Sequence, residues 1–93
     1  AGRFAEAIAL YQKVLKKNPR DPDALHLLGL ALMQQGDPHG GLGWITKAVK
    51  VRDDFPDAHA NAAQIAGQLG DLNLAEHHAR KAATYRRNAA THT

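Results

Sequence analysis

At 93 residues the chain can build one compact core but not two conventional domains. Hydrophobic residues make up 44% and aromatics only 5%, so the core must come from Ala, Leu, Ile and Val, which suits closely packed helices better than a sheet. No cysteine is present, which excludes disulfides and thiolate metal sites, and the net charge is a modest +3.

The first predicted helix covers residues 3–17, where Phe4, Ala7, Ile8, Tyr11, Val14 and Leu15 recur at three- and four-residue steps on one face. Asn18-Pro19 stops it. Asp21 then suits an N-cap, with Pro22 at the first helical position, where its missing N–H costs nothing. The second helix, 22–35, is apolar around much of its circumference (Leu25, Leu27, Leu28, Leu30, Ala31, Leu32), as befits a helix held between neighbours. Gly36 closes it and Asp37-Pro38 opens the third helix, in which Gly41 serves as a small-residue contact. Gly40 and Gly43 each cost about 1 kcal/mol against Ala in a helix interior. Trp44 is assigned to packing. The fourth helix covers 56–69 with Ala58, Ala62, Ile65, Ala66 and Leu69. Asp71 caps a fifth, whose inner stripe is predicted to be Leu72, Ala75, Ala79 and Ala82, and residues 88–93 are expected to fray.

These elements repeat. Gly2, Gly36 and Gly70 stand 34 residues apart, as do Lys13, Lys47 and Lys81, and the same step links Pro22 to Pro56, Asp23-Ala24 to Asp57-Ala58, Gln34 to Gln68 and Asp37 to Asp71. A period of this length marks one supersecondary unit that buries its apolar face against its neighbours. The expected division is a second helix of a partial repeat at 1–19, full repeats at 20–53 and 54–87, and a tail at 88–93.

A 34-residue helix–turn–helix repeat resembles the tetratricopeptide family, whose pattern runs W-x2-L-G-x2-Y, A-x3-F, P. Leu25, Leu28-Gly29 and Leu32 match its first part, and Ala7, Tyr11 and Pro19 match its second part in the preceding unit. The match weakens toward the C-terminus, with Asp53 and Arg87 at the proline place. The resemblance implies an all-α superhelix of antiparallel helix pairs, a right-handed solenoid of about five helices. More finely, residues 18–29 and 54–61 are similar to repeats of bacterial O-linked N-acetylglucosamine transferase-type proteins, which implies as an alternative function a substrate-recruiting arm of a larger glycosyl- or sulfotransferase.

In this family the first helix of each repeat lines the concave face. The resemblance therefore implies a groove formed by Asp23, His26, Leu30, Met33 and Gln34, then Asp57, Ala60, Asn61, Gln64 and Gln68. The two groove helices hold no Lys or Arg, and His26, Leu30 and Met33 stand where relatives that clamp chaperone C-termini carry polar and basic residues, so no such clamp is expected. The expected function is a non-catalytic scaffold that binds a peptide or partner protein in this groove.

Other chemistries find little support. Six histidines are present, but adjacent His77-His78 point about 100° apart on a helix, and no helical pair has the four-residue spacing that would chelate one ion. No nucleophile elbow, phosphate loop or HExxH occurs, so neither catalysis, cofactor nor metal is expected. Arg80, Lys81, Arg86 and Arg87 concentrate positive charge near the C-terminus without interleaved stacking aromatics, which argues against nucleic acid. No apolar run approaches the ~20 residues that span a bilayer, and no secretory leader is seen, so no membrane partner and a cytoplasmic location are expected. The pattern starts in mid-repeat at Ala1, which points to a piece of a longer protein. Uncovered apolar ends predict self-association.

Overall fold

The computed structural model describes residues 2–91, which form five α-helices and, among the described residues, no strand. These are α1 (Gly2–Lys17), α2 (Pro22–Gln34), α3 (Pro38–Val51), α4 (Pro56–Gln68) and α5 (Leu72–Thr91). Local chemistry sets most boundaries. The Asp21 and Asp37 side chains accept from the N–H groups of Ala24 and Gly40, at 3.0 and 2.9 Å, and a proline opens each of α2, α3 and α4. α4 differs in that Phe55 takes the N-cap position without a side-chain cap.

Gly36 and Gly70 end α2 and α4 at φ of 101° and 83°, a left-handed conformation that glycine adopts without a Cβ penalty. After Gly36, the Asp37 N–H returns to the Leu32 carbonyl and the Gly36 N–H to that of Met33. After Gly70, Asp71 bonds back to Ala66 and Gly70 to Gly67. Both are Schellman turns, and they reverse the chain so that each helix lies antiparallel to the next.

α2 packs most extensively against α3, and α4 against α5. The hairpins join through α3–α4 and a smaller α2–α4 contact, and α1 packs on α2. α1 and α3 stay apart, as do α3 and α5. With α2 and α4 touching while the helices behind them splay, the array bends with α2 and α4 on its inner side. The core lies where α2, α3 and α4 meet: Leu25, Ile45, Ala48, Ala58, Ala62 and Ile65 are buried together. Small side chains permit the closest approach there. A Cβ built on Gly29 would come 2.6 Å from the Gly41 carbonyl oxygen, and one on Gly41 would come equally close to the Gly29 carbonyl oxygen.

Helix α5 extends through Thr91, and residues 92–93 lie outside the described residues. One expectation for α5 needs correction, its inner stripe. Leu72 is 72% exposed and Ala79 is exposed, while His78 and Ala82 are buried. α3 is covered by both α2 and α4, whereas α5 packs on α4 alone, so Ala79 lacks the cover that buries Ile45 one repeat earlier.

Candidate functional site

The inner face of α2 and α4 carries the residues predicted to form a groove, and the structure divides them. Asp23, Gln34, Asp57, Gln64 and Gln68 are exposed; Leu30, Met33, Ala60 and Asn61 are half-buried. Met33 packs against the core. His26 is buried at 7% exposure, its ring edge-on to Phe55 at 4.9 Å, and its Nε2 accepts from the Asn61 side-chain amide at 2.8 Å. His26 and Asn61 therefore form a joint between α2 and α4. Burial pushes the His26 imidazole below its ordinary range, opposed by the carboxylates of Asp57 and Asp23.

The charge of this face also differs from what α2 and α4 carry themselves. Arg52, just past α3, reaches Asp23 at 3.6 Å while its guanidinium lies over the Phe55 ring at 4.0 Å, and Arg86 of α5 reaches Asp57 at 3.2 Å. The two pairs are related by the 34-residue step, so each repeat supplies an arginine, from just past α3 or from within α5, to the aspartate on its first helix. The pairs are exposed and screened, and their effect is to neutralise the rim rather than to stabilise the fold. Arg80 pairs with Glu76 and Lys81 with Asp53, so three of the four C-terminal cations singled out from the sequence are engaged by carboxylates.

A second polar cluster was not visible from local spacing. His59 of α4 and His78 of α5, both buried, approach at 2.9 Å between their Nδ1 atoms, and His59 Nε2 lies 2.8 Å from the Asp53 carbonyl oxygen. That carbonyl can only accept, so His59 donates through Nε2 and accepts through Nδ1 from His78. The Tyr85 ring stacks on His59, and its hydroxyl donates to the Asp53 carboxylate, which also takes Lys81 at 3.1 Å. Burial, reinforced by the neighbouring His59 and His77, pushes His78 down to about 4. The Tyr85 hydroxyl and Lys81 hold the Asp53 carboxyl below its ordinary range. Among the described residues no three His, Asp or Glu side chains converge as a metal-binding set. The signal that could have found this cluster is the repeat register: Asp53, His59, His78 and Tyr85 stand 34 residues after Pro19, Leu25, Trp44 and Val51.

Leu25 and Trp44, and their register counterparts His59 and His78, line two notches between the splayed outer helices. One, of about 440 Å³, opens between α1 and α3 over Leu25 and Trp44; the other, of about 450 Å³, opens between α3 and α5 over His59 and His78. No helix of the described residues is long and apolar enough to cross a membrane.

Comparison with known proteins agrees with this geometry. The TPR repeat profile matches residues 1–36 and the tetratricopeptide repeat profile residues 56–88. No curated protein sequence matches the chain. Among solved structures, a crystal structure of MamA superposes with a TM-score of 0.89 at 20% identity over 96% of this chain and 52% of that one. MamA from MSR-1 gives 0.83 at 24% identity over 94% and 50%, and MamA from AMB-1 gives 0.80 at 25% identity over 89% and 49%. The chain thus spans about half the length of the MamA structures it matches.

Proposed function

We propose, from the premise that this chain is an array of tetratricopeptide repeats, that it is a non-catalytic scaffold holding an extended peptide or partner segment along the inner face of α2 and α4. In this reading residues 20–53 and 54–87 are its full repeats and 1–19 the second helix of another. The observation that carries it is the character of that face. Gln34, Gln64 and Gln68 project amides beside the half-buried Leu30 and Ala60, and the rim aspartates are already neutralised by Arg52 and Arg86. Side-chain amides can satisfy the backbone of an extended peptide, and the apolar positions can take its side chains. His26 and Asn61 set the angle between the two helices and enter as supports. The likeness of 18–29 and 54–61 to transferase-type repeats would, in a longer parent, make the scaffold a recruiting arm.

The test is Leu30→Glu combined with Gln64→Ala and Gln68→Ala, all away from the core. Retention of a partner identified by cross-linking should fall about tenfold or more, as hot-spot loss does, with an unchanged circular dichroism melt. Undiminished retention overturns the reading. Self-association is a further part of it, supported by the exposed Leu10 on α1 and Leu72 on α5. Sedimentation showing a monomer at high concentration would contradict it.

A further inference from the structure

The notch between α1 and α3 lies behind the inner face and has no part in the function proposed above. Leu25 floors it, and Leu15, Trp44 and Val51 form its walls. Arg20, Lys47 and Lys50 stand exposed at its edge, and no acidic side chain contributes to it. Among the described residues none of these three cations is paired with a carboxylate, and Lys47 rests its ammonium 4.4 Å from the centre of the Trp44 ring. Lys16 and Lys17, in the last turn of α1, add to the positive field on this side.

The next notch shows that the fold does not require this chemistry. One repeat on, Asp53 replaces Pro19 and captures Lys81, the counterpart of Lys47, while His59 and His78 satisfy one another in place of Leu25 and Trp44. The same backbone thus accepts a hydrogen-bonded imidazole pair at the base of an equally open recess. The α1–α3 notch instead carries Leu25 and Trp44 at those positions, and among the described residues its cations have no carboxylate partner.

We propose that this recess is a second docking site, which takes an acidic segment of a partner protein by inserting one or two large apolar side chains over Leu25 and Trp44 while flanking carboxylates meet Arg20, Lys47 and Lys50. A recess of about 440 Å³ holds side chains of that size, and the charge complement selects acidic over basic flanks. Its position on the outer side leaves the inner face free, so the scaffold can hold two partners at once.

The chain contains one tryptophan, Trp44, so its emission reports directly on the recess. The probe is the acetylated, amidated peptide Glu-Asp-Leu-Leu-Glu-Asp, with Lys-Lys-Leu-Leu-Lys-Lys as control; the amide keeps recognition of a terminal carboxylate out of the result. A saturable change in Trp44 emission is expected with the acidic peptide and not with the basic one. Lys47→Glu with Lys50→Glu, both exposed, should weaken binding about tenfold or more without altering the circular dichroism melt. Amide shifts should map to Leu15, Leu25 and Val51 and persist in the Gln64→Ala/Gln68→Ala variant. No saturable response up to millimolar peptide, equal responses to the two peptides, or indifference to charge reversal each overturns the proposal. Shifts confined to α4 overturn it too, while leaving the inner-face reading intact.

Discussion

The notch between α1 and α3 and the notch between α3 and α5 occupy the same place in successive repeats, yet one is lined by Leu25 and Trp44 and the other by His59 and His78. The contact positions between paired helices change far less: Gly41 is matched by Ala75 and Ala48 by Ala82, since a larger side chain would force the backbones apart. The difference teaches that a repeat scaffold is strict where helices touch and permissive where they splay. An open notch tolerates apolar or polar lining, provided buried polar atoms find partners. Among the described residues no buried side-chain nitrogen or oxygen lacks one.

The sharpest way to break this comparison is at Ile45, fully buried under α2 and α4, against its counterpart Ala79, exposed on α5. Ile45→Ala should destabilise the chain by about 2–5 kcal/mol in urea unfolding. Ala79→Ser should change it by less than about 0.5 kcal/mol, and comparable losses would show that α5 is covered as α3 is. Next in size is Gly29→Ala, whose new methyl would meet the Gly41 carbonyl and the Ile45 side chain. Overpacking of that kind costs about 1–3 kcal/mol. The counterpart Ala63 already carries a methyl, and Ala63→Gly should cost only about 1 kcal/mol through helix propensity.

The histidine notch predicts a pH dependence that the apolar notch lacks. His78 in the folded chain titrates near 4, below the ordinary value of 6.5, because of its burial and the imidazoles of His59 and His77. The unfolded chain therefore binds a proton that the folded chain refuses, so this contribution is complete above pH 6.5 and is lost as pH falls toward 4. Asp53 faces the same group and works weakly against the shift. Transplanting the first notch with His59→Leu and His78→Trp should flatten the unfolding midpoint across that window, apart from the slope His26 contributes in the same direction. An undiminished slope would assign the effect elsewhere. The smallest effect is expected at Gly43, where an added Cβ meets nothing within 4 Å. Gly43→Ala should raise stability by up to about 1 kcal/mol. A loss there would reveal a neighbour that the structure does not contain.

Helix number, order and most boundaries were legible from Asp21-Pro22, Asp37-Pro38, Gly36 and Gly70, because caps, prolines and left-handed glycines act within four residues of where they stand. The groove helices were legible only through the family resemblance. What their side chains do was not, since His26 and Asn61 lie 35 residues apart and meet only once the hairpins stack. Arg52, just past α3, and Arg86 on α5 reach the rim aspartates, which no reading of α2 or α4 alone could show.

The 34-residue period and its short-range chemistry were thus enough to determine five helices folded into stacked hairpins. Tertiary structure decided which surfaces remain open: the cover that buries Ile45 but not Ala79, the joint that ties His26 to Asn61, and the splay that opens one notch over Leu25 and Trp44 and the other over His59 and His78. Helix formation depends on neighbours along the chain, whereas exposure and pairing depend on what the next layer brings, and that distance is not written in any local pattern.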